Sequence, residues 1–217
     1  MSDITVLHTG DAHIDQITHG RLNPETGLNT AIESRVAALA SAVTSAVENQ
    51  DDLFLHCGDA FKDGVPSQEA VLLFADTLAP LVDAGIPVGL LGGNHDLHRV
   101  PSAQRTANAT LAALLQRRGA EVYIAEREYG LVTTKSGIQI ALLPWLSKSA
   151  IISRLGLERL DPVESDKAVA DYGLRALDEM FVQADHTSPL IVASHVTVDK
   201  VRIDSVAKGH KRGSEVD

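Results

Sequence analysis

The run Ile86-Pro87-Val88-Gly89-Leu90-Leu91, stopped by Gly92-Gly93, constrains this chain more than any other stretch. A short apolar run closed by turn residues reads as a buried strand. The two glycines let the backbone turn sharply, or approach another segment closely, where that strand ends. Asn94-His95-Asp96 follows at once. An amide, an imidazole and a carboxylate together suit metal-assisted phosphate chemistry: a ligand, a group for the leaving oxygen, and an acid to orient it. The competing reading is a strand-to-helix loop in which Asn94 or Asp96 caps the next helix.

Other strand ends carry matching groups. Residues 4–8 read as a β-branched strand running into Thr9-Gly10-Asp11-Ala12-His13, and residues 53–57 as a second strand ending at Gly58-Asp59. A polar loop over 14–28 leads to a helix from 29 to about 50, with Ile32, Val36, Leu39, Val43 and Val47 on one face. Val71, Phe74, Leu78 and Leu81 mark a helix after Pro66-Ser67, and further helices are predicted over 103–118 and near 163–184. Residues 121–124, 129–133 and 138–143 read as short strands of a second sheet with antiparallel pairing. Residues 190–194 form a buried-strand run with His195 at its end, and 199–217 contain no clear element. The alternation is that of an α/β fold, whose ligands bind beyond the carboxyl ends of strands. Asp11, His13, Asp59, Asn94, His95 and His195 all fall there.

Asp11 and His13 offer an oxygen and an imidazole nitrogen from one loop. Asp59 has two oxygens and can bridge two cations; Asn94 and His195 add an amide oxygen and another imidazole. Mixed N/O ligation without thiolate suits Mn, Fe or Zn better than Ca. Two such ions, roughly 3.5–4 Å apart, clamp a phosphate and lower the pKa of a bridging water. His95 is expected just outside the metals, acting on the leaving oxygen, with Asp96 orienting its ring. Singly, each residue has a blander reading as a cap, a solvated loop or a packed histidine. His8 and His56, within strands, read as packed histidines; His19, His98 and His186 read as surface residues, His98 near enough to touch substrate.

The 217 residues suit one domain over 1–217, with a core of Ala, Val, Leu and Ile because aromatics are only 4%. No apolar run is long enough to span a bilayer, and the N-terminus shows no secretory signal. Cys57 is the single cysteine and cannot form an intramolecular disulfide, which suits a cytoplasmic location; it is expected to pack as a small apolar residue. The formal charge of −10 argues against a broad basic surface gripping DNA. Bound divalent cations would offset clustered carboxylates locally, so a nucleic-acid enzyme stays open.

Asp11-x-His13, Gly58-Asp59, Gly93-Asn94-His95-Asp96 and His195 resemble the ordered motifs of calcineurin-like metallophosphoesterases. Residues 7–13, Gly58-Asp59-Ala60-Phe61 and Gly85-Ile86-Pro87-Val88 are most similar to the SbcD-type nuclease subunit of DNA-repair complexes. The resemblance covers roughly residues 4–198. It implies an αββα sandwich, two mixed β-sheets flanked by helices. It also implies two divalent metal ions, Mn2+ being the usual choice and Fe2+, Zn2+ or Mg2+ the others. Asp59 would bridge; Asp11 and His13 would ligate one ion, Asn94 and His195 the other, and His95 would be the non-ligand catalytic histidine. Phosphodiester hydrolysis on DNA beside a coiled-coil ATPase of the SbcC type follows from the same likeness, with a homodimer as a further expectation. The family closes its site with Gly-His-x-His, whereas Gly209-His210-Lys211-Arg212 carries Arg at the second ligand position. The sequence is therefore expected to stop before the real motif and the last strands. Hydrolysis of a nucleotide, small phosphodiester or phosphoprotein is the alternative, and a non-catalytic binding module the third reading.

Overall fold

The computed structural model describes residues 3–97 and 106–197. Strands β1 (Val6–Thr9), β2 (Leu53–His56), β3 (Val88–Leu91) and β4 (Val122–Ala125) lie side by side in that order, each neighbouring pair parallel. Parallel neighbours need long crossovers, and here α1 (Thr30–Asn49), α2 (Gln68–Asp83) and α3 (Ala107–Arg117) supply them. The second sheet holds β5 (Gly130–Thr133), β6 (Gln139–Leu143) and β7 (Leu190–Ser194), with β5 antiparallel and β7 parallel to β6. Between β6 and β7 run α4 (Lys148–Leu155) and α5 (Pro162–Gln183).

Side chains alternate across each strand, and the alternation builds the layers. Phe54, Val88 and Leu90 pack with Val43, Phe74, Leu78 and Leu115 of the helices. Their neighbours Leu53, Leu55 and Leu91 meet Ile140, Leu142 and Ala193 between the sheets. Ala141 and Leu143 face Ala176 and Met180 of α5. The order is helix, sheet, sheet, helix. Strands β2, β3 and β6 are covered on both faces, and every residue in them is buried.

Two details differ from the sequence reading. The segment expected to begin the antiparallel sheet is β4, which instead extends the first sheet: Val88 and Gly92 donate to the carbonyls of Glu121 and Ala125. Of the two sheets, then, only the second is mixed among the described residues. Helix α4 was not anticipated. His98, the start of the 103–118 helix and Gly209-His210-Lys211-Arg212 lie outside the described residues.

Candidate metal centre

Because β1, β2 and β3 are parallel, their loops emerge on one edge, and main-chain bonds join them. Asp11, His13 and Ile14 donate their amides to the carbonyls of Gly58, Asp59 and Ala60, each at 3.0 Å. These loops are strained: Asp11 (φ 52°), His13 (φ 40°) and Asp59 (φ 55°) occupy the left-handed region. Such backbone costs about 1–3 kcal/mol per residue and persists only where the surroundings impose it. Two glycines make room. A Cβ on Gly58, itself at φ 99°, would lie 2.4 Å from Nδ1 of His195, and one on Gly93 would lie 2.1 Å from Oδ1 of Asp59.

Three imidazoles are held in the same way. His13 Nδ1 lies 3.2 Å from the carbonyl of Phe61, His95 Nδ1 2.8 Å from that of Lys62, and His195 Nδ1 2.7 Å from that of Cys57. A carbonyl only accepts, so Nδ1 carries the proton in each ring and the neutral form keeps a lone pair on Nε2. For His13 and His195 those lone pairs converge on buried Asp59, whose Oδ2 stands 3.6 and 3.7 Å away. Asp11 Oδ1 lies 4.0 Å from His13 Nε2, and its side chain is 72% exposed. Asn94 Oδ1 lies 3.2 Å from His195 Nε2. Acceptor faces acceptor at these distances, which is unfavourable unless a proton or a cation lies among them.

This donor set fits two divalent cations sharing one carboxylate. His13, Asp59 and His95 form one group of possible ligand atoms within 4.8 Å of one another, and Asp11, Asp59 and His195 form the second. Asp59 belongs to both. The sequence-predicted Asp11, His13, Asp59, Asn94 and His195 are thus brought together. A ring nitrogen of His95 also enters the first group, closer than an expectation of His95 outside the metals suggests.

Asp96 does not orient His95. Its Oδ2 accepts the amides of Asp59 (2.8 Å) and Gly93 (2.9 Å), and its Oδ1 that of Phe61 (3.1 Å). With the carboxylate 2% exposed and tied to the backbone, the ring of His95 takes the Lys62 carbonyl instead. Burial, helped by the charge of Asp59, pushes the Asp96 carboxyl above its usual range, although the amides of Gly93 and Phe61 pull the other way. The Asp59 carboxylate is fixed by the amide of His95, 2.9 Å from Oδ1. Sequence reasoning missed the three carbonyls because any residue can supply one. It also passed over Trp145, whose ring meets that of His195 edge-on at 6.1 Å and whose amide bonds the Gly92 carbonyl.

A cleft of about 500 Å³ opens beside the cluster, lined by His8, Asp11, Asn94, Trp145, His195 and Thr197 among others. His8 is exposed there rather than packed, on a strand that lies at the edge of its sheet among the described residues. His56 is packed as expected, 1% exposed. Burial pushes the Cys57 thiol up to about 11, which keeps it protonated and inert. His19 and His186 lie at the surface.

Residues 4–215 match the family described as calcineurin-like phosphoesterase. The uncharacterized metallophosphoesterase YhaO of Bacillus subtilis (strain 168) is 31% identical over 97 residues, which are 44% of this chain and 24% of that protein. The chain thus spans about a quarter of the length of that relative. Among solved structures, a dimetal phosphatase from Danio rerio is similar over 89% of this chain and 69% of its own, at 16% identity and a TM-score of 0.50. TT1561 of Thermus thermophilus is similar over 65% of this chain and 49% of its own, at 14% identity and a TM-score of 0.43.

Proposed function

The chain belongs to the calcineurin-like phosphoesterase family, and from that premise we propose that it hydrolyses phosphodiester bonds of DNA as the nuclease part of a repair or recombination complex. The observation that carries the phosphoesterase reading is the convergence of Nε2 of His13 and of His195 on the shared carboxylate of Asp59, with the amide oxygen of Asn94 beside His195 Nε2. Asp11, His13, Asp59, Asn94 and His195 would hold two divalent cations, Mn2+ first among the candidates. When bound, the cations neutralise phosphate charge and lower the pKa of water. His95 is assigned proton transfer at the leaving oxygen: with Nδ1 committed to Lys62, Nε2 is the atom that gives or takes the proton. The Lys62 carbonyl fixes the tautomer, and Asp96 holds the loops on which Asp59 and His95 sit.

The DNA substrate is supported by the wording around the motifs and by an exposed rim, since Asp11, Asn94 and His95 face solvent where a polymer can reach them. A coiled-coil ATPase partner belongs to the same proposal. A formal charge of −10 favours a second reading, a small phosphodiester, nucleotide or phosphoprotein that needs no basic track. Mn2+-dependent release from linear duplex DNA, compared with release from bis(p-nitrophenyl) phosphate, separates them. We expect both substrates to be cleaved; cleavage of the small ester alone overturns the nuclease reading, and cleavage of neither overturns both.

A further inference from the structure

Trp145 stands where folding alone does not call for a large aromatic side chain. Aromatics make up only 4% of the chain, and this is its single Trp. The rings buried in the core are those of Phe54, Phe61 and Phe74, and Trp145 joins none of the three apolar clusters among the described residues. It is half-buried and lines the cleft of about 500 Å³ beside the metal centre, together with Asp11, Asn94 and His195. That volume falls within the roughly 300–1,000 Å³ of clefts that take small ligands.

Both sheets hold the ring in place. Pro144 carries the chain out of β6, and the Trp145 amide donates at 2.9 Å to the carbonyl of Gly92, the residue after β3. Leu146, the next residue, packs with Leu143, Ala176 and Met180 beneath α5. Gly173 leaves it room, since a Cβ there would lie 2.8 Å from Leu146 Cδ1. The indole meets the His195 ring edge-on, at 6.1 Å and 72°. The result is an aromatic surface of fixed position beside the Asp11–Asp59–His195 group, ordered before any ligand arrives.

What this surface can recognise follows from what the cleft lacks. Among the described residues that line it there is neither Lys nor Arg, so apart from bound cations it has no charge with which to grip a phosphate chain. A nucleobase needs none, because any base gains by stacking its face on an aromatic ring. We propose that Trp145 is the stacking platform for a nucleobase next to the scissile phosphate. The substrate is then a nucleotide unit whose base is free of its pairing partner, not a phosphoprotein. This inference rests on the phosphodiester reading above and narrows its substrate class.

Because the chain has one Trp, its indole fluorescence reports on this position alone. The 217-residue chain with Mg2+ present is titrated with thymidine 5′-monophosphate and, separately, with deoxyribose 5-phosphate, exciting where the base does not absorb. A saturable quench by the nucleotide and none by the sugar phosphate is expected. No response, or the same response to both, overturns the stack. Cleavage of a thymidine oligomer gives the second readout. Trp145→Ala should raise KM by roughly 5–150-fold at unchanged kcat, with Trp145→Phe recovering most of the loss. The preference for the thymidine oligomer over an abasic oligomer of the same length should shrink by a similar factor. If Trp145→Ala instead loses bound metal and weakens cleavage of both oligomers alike, the ring acts only through His195 and the platform is overturned. If the parent cleaves no oligomer, the nuclease reading fails, and the base-dependent quench still decides the stack.

Discussion

At the residue scale, Asp96 and His95 sit side by side in sequence and act on different neighbours. Asp96 spends both oxygens on the amides of Asp59, Phe61 and Gly93, while His95 leans on the Lys62 carbonyl. Their variants should therefore fail differently. His95→Ala is expected to keep two bound cations and lower turnover by about 10²–10⁴-fold, as for loss of a general acid. Asp96→Asn sets an amide group against three backbone N–H donors and the side chain of Asn108, and loosens the Asp59 loop. It should weaken metal binding by roughly 10–100-fold, as for the loss of other outer supports of a metal site, and lower the melting temperature. Metal counting with turnover on both variants checks this; an Asp96→Asn protein with intact metals and stability but lost turnover would restore an orienting role. The residues that point into the cluster were legible because carboxylate, amide and imidazole are side-chain identities. What holds them was not, since Phe61, Lys62 and Cys57 act through carbonyls whose placement depends on loops far apart in the chain.

Elements were legible where their pattern was long and went unread where tertiary partners decide. Helix α1 shows its period over five turns, and α2 likewise presents Val71, Phe74, Leu78 and Leu81 to the core. Helix α4 has a single buried residue, Ile151, so no periodicity announces it. Strand β4 reads like the strands after it, but its ladder bonds go back to β3, leaving residues 126–129 to carry the chain to the other sheet. The start of α5 shows what local chemistry can fix. Asp161 accepts the amide of Glu164 at 2.8 Å and the Glu164 carboxylate reaches back to the amide of Asp161 at 3.3 Å, a reciprocal cap with Pro162 as the first helical residue. Asp161→Ala should destabilise the chain by about 1 kcal/mol, measured as a shift in the urea midpoint at unchanged slope. A change in slope instead would mean that α5 as a whole had come away.

For the whole molecule, the site exists only because two sheets dock. Asp59 hangs from the first and His195 from the second, and Leu53, Leu55 and Leu91 packed on Ile140, Leu142 and Ala193 hold them together. His56, just behind that site in β2, couples the packing to pH. It is 1% exposed, with Thr9 Oγ1 3.0 Å from Nδ1 and no partner at Nε2. Burial, and after it the neighbouring imidazoles of His195 and His13, which disfavour a further positive charge, pushes its pKa from 6.5 down to about 3. The native chain therefore keeps His56 neutral while the unfolded chain takes up a proton below pH 6.5. Between about 6.5 and 3 the unfolded state binds more protons, so this contribution is complete above pH 6.5 and is lost as pH falls. The raised carboxyls of Asp96 and Glu126 carry the opposite sign, favouring the native state on the acid side and losing that advantage as pH rises through their folded pKa. Comparing the parent chain with His56→Leu cancels those carboxyls, which both proteins share. In urea unfolding with chelator present, the parent's stability relative to His56→Leu should fall by about 1.5 kcal/mol between pH 6.5 and pH 5, at roughly 1.4 kcal/mol per pH unit at the acid end. An unchanged difference across that window would mean that His56 is protonated in the native chain, and that the seam beneath the metal centre admits water.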